Sequence, residues 1–122
     1  MKPLIHAEIS VKKYGGIVED YMPLHNFFDS SKQAMPDARH RAVLHSAFGI
    51  YLLERVFGDY IVNSDSKKVS VRDVGEDHVI QDLGFIPTVE HWLGNMPIEN
   101  WMLGKNKKRR PRKQSISFEN VD

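Results

Sequence analysis

Residues 37–58 read DARHRAVLHSAFGIYLLERVFG, with two histidines and two arginines in the first nine positions and then an almost unbroken apolar run. Pro36 disfavours helix just before itself, Asp37 can accept the orphan amides of a first turn, and Gly58 suits the position after a last one. One helix over residues 37–57 is therefore expected. Val43, Leu44, Ala47, Phe48, Ile50, Tyr51, Leu52, Leu53, Val56 and Phe57 cover nearly its whole circumference, which places it, buried, at the centre of a domain. At ~100° per residue His40 and His45 fall about 140° apart on such a helix and cannot share one ion. Asp37, Arg41 and His45 instead form a ladder at i, i+4 spacing.

Outward from this helix, YIVNSDSKKVSV at 60–71 reads as a β-hairpin around the turn-forming NSDS. IHAEISV at 5–11 alternates apolar and polar residues as a half-buried strand does, with His6 on the polar register. Gly15-Gly16 breaks the chain. Asp20 caps a helix through YMPLHNFFDSSK, Asp73 caps another through VGEDHVIQDL ending at Gly84, and Pro87-Thr88 opens a short one carrying His91 and Trp92. MPIENWML adds a last turn, with both tryptophans expected as packing residues. The expected fold is α+β and mostly helical, with a small β element made of the 60–71 hairpin and a candidate strand at 5–11.

A chain of 122 residues is one domain's worth. Ten of its twelve aromatics fall before residue 93, which argues for a packed core. With no cysteine, disulfides and thiolate metal sites are excluded, and any ion must be held by His, Asp or Glu. No signal peptide or membrane-length apolar run is visible, so a soluble cytoplasmic protein with no membrane partner is expected. P-loop, dinucleotide and nucleophile-elbow patterns are missing too.

The net charge of +1 conceals two halves of opposite sign: residues 1–103 carry 10 Lys and Arg against 14 Asp and Glu, whereas residues 104–122 carry 7 against 2. We therefore expect a compact domain over 1–103 and a basic, extended or disordered tail over 104–122. Lys105, Lys107, Lys108, Arg109, Arg110, Arg112 and Lys113 suit the phosphates of nucleic acid or a ribonucleoprotein, bound without sequence readout. A solubilising tail or an import address fits the same composition.

His25 with Asp29, and His78 with Asp82, stand four apart on their helices and share a face. A neutral imidazole beside a carboxylate is what a divalent metal accepts from a protein without thiols, so His25, Asp29, His45, His78 and Asp82 form a candidate metal set. The simpler alternative is an Asp–His hydrogen bond worth ~0.2–0.5 kcal/mol on each helix. Arg39, His40 and Arg41 crowd the positive end of a helix, which calls for an anion opposite. That anion is either internal, from Asp29, Glu76 or Asp82, or a phosphorylated ligand gripped by Arg39, His40, Arg41 and Arg72.

On HAEIS, GGIVEDYMPLHNFFDSSK, DARHRAVLHSAFGI and NSDSKKVSVRDVGEDHVIQDLGFIPTVEHWL, the chain resembles a small family of uncharacterised proteins of bacteria and tailed bacteriophages, over residues 6 to about 102. That family has histidines in the positions of His6, His25, His40, His45 and His78 and no settled activity. Ser46 departs from a second adjacent histidine found among related sequences. The resemblance implies an accessory protein in a bacterial host cytoplasm, with a host protein as a further partner; the basic tail falls outside it. A looser likeness to helical His-Asp phosphohydrolases lacks their adjacent His-Asp dipeptide.

Three functions are compatible with these residues. The first is a phage-type accessory binding protein, with a His/Arg/Asp pocket for a phosphorylated ligand or metal and a tail on nucleic acid. The second is a metal-dependent phosphohydrolase, and the third an interaction protein whose charges only knit helices together.

Overall fold

The computed structural model describes residues 1–105. Its elements are α1 (Pro3–Tyr14), α2 (Val18–Phe28), α3 (Ala47–Phe57), β1 (Tyr60–Val62), β2 (Lys68–Ser70), α4 (Val71–Leu83) and α5 (Val89–Leu93), with 3-10 turns at Ser30–Gln33, Ala38–Arg41 and Asn100–Leu103. The α+β, mostly helical architecture is as expected from sequence. The two strands form the expected antiparallel hairpin, pairing Tyr60 with Ser70, Ile61 with Val69 and Val62 with Lys68.

Several local expectations fail. Residues 5–11 lie inside α1 and form no strand. Seven residues are too few to separate a period of 2 from one of 3.6, and the flanks decide: Pro3 sits in the first turn, Lys12 and Lys13 in the last, where they suit the helix dipole. Ile5, which alternation would bury, is exposed, while His6, Ala7 and Ser10 are buried.

The 37–57 helix is broken as well. Only Ala38–Arg41 coils, as a 3-10 turn capped by Asp37; Ala42 is extended, Val43 takes a φ of 78°, and α3 begins after Ser46. A positive φ strains a β-branched residue by about 1–3 kcal/mol, so surrounding contacts must hold the loop. Ser46 Oγ accepts from the Gly49 amide at 3.1 Å as a helix cap, and its hydroxyl donates to the Val43 carbonyl. The Ala47 amide donates to the Pro87 carbonyl at 2.8 Å, and Trp92 Nε1–H to the His45 carbonyl at 2.9 Å. Nor is α3 buried all round: Gly49, Ile50 and Leu53 face inward, whereas Phe48, Tyr51 and Val56 are exposed.

Tyr21, Leu24 and Phe28 of α2, Ile50 and Leu53 of α3, Val69 of β2, and Val71, Val74 and Val79 of α4 make the core with Ala7 of α1. At Gly75 a side chain would stand 3.0 Å from Leu53 and 3.4 Å from Phe28, so the bare backbone lets α4 approach α2 and α3 closely. The α4 cap is Ser70, whose Oγ accepts from the Asp73 amide, with Asp73 itself in the first turn. Asn63, in the hairpin loop, donates to the Tyr14 carbonyl and to Tyr21 Oη, while Asp20 accepts from the Ser64 amide and hydroxyl. The hairpin thereby clamps the α1–α2 corner. Trp92 packs as expected, but Trp101 is 76% exposed. No helix among the described residues is long and apolar enough to cross a membrane.

Candidate metal centre

Close packing of α4 on α1, α2 and the 42–46 loop gathers five histidines and two aspartates in the interior. His6, His25, His45 and His78 are fully buried, His40 is 6% exposed, and the Asp82 and Asp29 side chains are 1% and 9% exposed. Asp82 is the hub. Its Oδ2 lies 2.9 Å from His45 Nε2 and 3.4 Å from His78 Nε2, and its Oδ1 lies 3.1 Å from both His6 Nε2 and the amino group of Met1. Asp29 Oδ1 faces the group from the end of α2, 3.6 Å from His40 Nε2 and 3.9 Å from His45 Nε2.

These separations suit one ion. Ligand atoms each ~2.0–2.1 Å from a metal stand roughly 3 to 4 Å from one another. Asp29, His45, His78 and Asp82 each offer an atom within 4.8 Å of the others, and so do His6, His25 and His78. The second trio is the poorer cradle. An ion lies in the plane of each ring that binds it, whereas His6 is stacked on His78 with centroids 3.8 Å apart and planes 25° apart, so the two planes meet too far from either ring for one ion at bonding distance to lie in both.

Several polar atoms in this cluster are buried without a hydrogen-bond partner: Asp29 Oδ2, His40 Nε2, His45 Nδ1 and His78 Nε2. Leaving such atoms unsatisfied costs about 1–3 kcal/mol each. The clearest case is His40. Its Nδ1 lies 2.7 Å from the Asp37 carbonyl oxygen, which can only accept, so Nδ1 carries the proton and a neutral ring is bare at Nε2. That lone pair points towards Asp29, another acceptor. A histidine that donates one N–H to a backbone carbonyl and turns its other nitrogen to carboxylates is oriented as metal ligands commonly are.

Burial, with repulsion between neighbouring rings, pushes His25 down to about 3 and His78 down to about 4, the latter against the attraction of the Asp82 carboxylate 3.4 Å away. Both rings are thus neutral at pH 7, the form that ligates. For Asp82 burial acts to raise the pKa, but the hydrogen bonds of His45 and His6, with the His78 ring close by, together hold it far below the usual carboxylate range. A pH dependence follows for the metal-free protein. The unfolded chain protonates these histidines near pH 6.5, while the folded one resists until about pH 4 and 3, so their contribution is complete above 6.5 and lost as pH falls through that window. At pH 5 the loss is at most about 2 kcal/mol for each of the two. Urea denaturation at pH 7.5 and pH 5 should show a lower midpoint at pH 5; equal midpoints would mean that the two rings are not held neutral.

The other residues singled out in the sequence are distributed as follows. The His78–Asp82 pair faces itself as its spacing predicts. His25 does not meet Asp29: its Nδ1 is 2.9 Å from His78 Nδ1 and its Nε2 is 2.8 Å from Ser10 Oγ. His40 and His45, set apart on an unbroken helix, come together because the chain leaves helical geometry between them. The Asp37-Arg41-His45 ladder does not form; Asp37 instead binds Arg39 through both oxygens, and that partner holds its carboxyl down at about 2. Arg39 is thus neutralised by its neighbour rather than by Asp29, Glu76 or Asp82. Arg72 pairs with Glu76 and lines a surface cleft with Tyr51 and Glu54, without any of the histidines. Arg41 keeps a buried Nε without a partner. Lys105 is exposed; Lys107, Lys108, Arg109, Arg110, Arg112 and Lys113 lie outside the described residues.

Sequence reasoning left His6 undecided and passed over Ser10 and Gln81. His6 belongs to the cluster, stacked on His78 with Nδ1 2.6 Å from Gln81 Oε1. The signal that would have placed it is the helical spacing of His6, Ser10 and Tyr14, hidden by the strand reading.

A family model described as a domain of unknown function, DUF6915, matches residues 1–102. The chain belongs to this family. The DUF6915 domain thus spans every residue of the cluster, from His6 to Asp82, and stops short of the basic tail. No curated protein and no solved structure matches the chain.

Proposed function

We propose that this DUF6915 domain is a divalent-metal protein. Asp29, His45, His78 and Asp82 hold the ion, and His40 completes the set from the rim. The observation that carries this reading is that Asp29, His45, His78 and Asp82 each bring a ligand atom within 4.8 Å of the others, in an interior where His40 Nε2, His45 Nδ1 and His78 Nε2 have no hydrogen-bond partner although such atoms are normally satisfied. A mixture of imidazole and carboxylate donors suits zinc, manganese or iron(II). Protein purified without a histidine tag should carry, or take up, about one equivalent of such a metal by elemental analysis. His78→Ala should abolish uptake, and a wild-type protein that neither contains nor binds metal overturns the reading.

The second reading is metal-dependent hydrolysis of phosphate esters. Nitrogen and oxygen donors without thiolate are commoner at catalytic than at structural zinc sites, and Arg41, next to His40 in the chain, has a buried Nε with no hydrogen-bond partner. Bound there, a divalent ion supplies Lewis acidity, and Arg41 a donor for a phosphoryl oxygen. Chelator-sensitive turnover of phosphomonoesters or diesters supports this activity, and none across both classes removes it.

The residues from Lys105 to Lys113 form, in this proposal, a phosphate-binding arm that brings the domain to nucleic acid or a ribonucleoprotein in a bacterial or phage-infected cytoplasm. Deleting residues 104–122 should abolish salt-sensitive RNA or DNA binding. Binding unchanged by the deletion rules the arm out.

A further inference from the structure

Ser10 and His25 are buried at 2% and 0% exposure on helices α1 and α2, whose inward faces also carry His6 and the apolar Ala7, Tyr21, Leu24 and Phe28. Two polar side chains so placed cost stability unless their hydrogen bonds are complete. They are complete, and they form a line leading to one of the ligands: His78 Nδ1 is 2.9 Å from His25 Nδ1, His25 Nε2 is 2.8 Å from Ser10 Oγ, and Ser10 Oγ is 3.1 Å from the carbonyl oxygen of His6.

The hydrogen bond from the Ser10 hydroxyl to the His6 carbonyl sets the direction of this line. The His6 carbonyl can only accept, so the hydroxyl proton of Ser10 is directed to it. Ser10 Oγ then accepts from His25 Nε2–H. A neutral His25 protonated at Nε2 is bare at Nδ1, and a contact between two ring nitrogens holds one proton, which therefore sits on His78 Nδ1. A neutral His78 protonated there presents its lone pair at Nε2, the atom that faces Asp82 Oδ2. Turning the hydroxyl to His25 instead reverses every link and puts a proton on His78 Nε2, where it blocks an ion. Both arrangements contain the same three protons, so the difference is one of position and none is gained or lost.

We propose that Ser10 and His25 are positioning residues that fix His78 in the tautomer able to bind metal, with the backbone carbonyl of His6 as the anchor of the line. The inference rests on the metal reading above and assigns His25 to the outer shell rather than to the ligands. It also explains the burial of two polar residues that touch no ligand but His78.

The test uses the full chain and Zn²⁺, with affinity read by competition against a chromogenic chelator and tautomers read by NMR of ¹⁵N-histidine-labelled protein. Zinc-loaded wild type should show His78 protonated at Nδ1 and His25 at Nε2. His25→Leu, which removes the acceptor, should weaken zinc binding about 10- to 100-fold, the usual cost of losing an outer-shell partner. His25→Asn, which keeps an acceptor oxygen near the Nδ1 position, should stay within a few-fold of wild type. Ser10→Ala, a change that a helix accepts readily, should weaken binding several-fold and leave metal-free His78 in mixed tautomers. Equal affinity for wild type and His25→Leu, or a zinc-loaded wild type with the His78 proton on Nε2, overturns the proposal while leaving the metal centre standing. Absence of zinc binding by wild type removes the centre itself.

Discussion

Replacing Asp82 by alanine should lower stability by about 3–5 kcal/mol, the range for removing one member of a buried charged network. The carboxylate receives three imidazoles, from His6 on α1, His45 in the loop before α3, and His78 on α4, together with the amino group of Met1. Its loss removes the acceptor that His6 Nε2 and His45 Nε2 share in the interior, leaving only Asp29 Oδ1 at 3.9 Å from His45 Nε2, so the elements they belong to separate more readily. On the metal reading the same substitution should eliminate metal uptake, because Asp82 offers one of the four candidate ligand atoms. Chemical denaturation of wild type and Asp82→Ala in the presence of a chelator measures the first effect, and elemental analysis the second. A variant as stable as wild type would show that the cluster is not a connected network.

Gly49→Ala should be nearly as damaging, although it adds one methyl group to a helix. A Cβ at that position would overlap the Leu44 carbonyl oxygen and carbon, both backbone atoms of the loop that carries His45. Since backbone cannot swing aside as the end of a side chain can, either α3 or the loop must move. The cost is about 3 kcal/mol, at the upper end for overpacking. Displacement of the loop also withdraws His45 Nε2 from Asp82, so zinc affinity should fall more than tenfold in whatever protein remains folded at low temperature. Elsewhere in a helix alanine is the better residue than glycine; a stabilised Gly49→Ala with normal zinc binding would mean that the loop does not cross the helix start in this way.

The legible features were those set within a single element. The hairpin could be read because alternation and turn residues fall within twelve positions, and the facing of His78 and Asp82 because an i, i+4 pair depends only on helix geometry. Relations across elements were illegible. The sequence reading took apolar residues 43–57 as evidence for a continuous helix, yet Ser46 followed at three residues by Gly49 is also the pattern of a capped start, and it is the cap that lets His45 turn inward beside His40. His25 was placed on its correct helix but given the wrong neighbour, since the helix can present it to Asp29 or across to His78 and only packing decides. The arginines were overvalued as anion ligands because Asp37 and Glu76, close by in sequence, already satisfy Arg39 and Arg72.

The span between His6 and Asp82, 76 residues apart in the chain and 3.1 Å apart in space, bears on how the protein is made. During synthesis on the ribosome the N-terminal helix emerges early and has no carboxylate to meet until α4 has followed it out. Closing so long a loop is slow compared with forming a helix. On the metal reading proposed above, ion capture is a late event in maturation, and a chain truncated before residue 82 should leave the ribosome without the Asp82 hub.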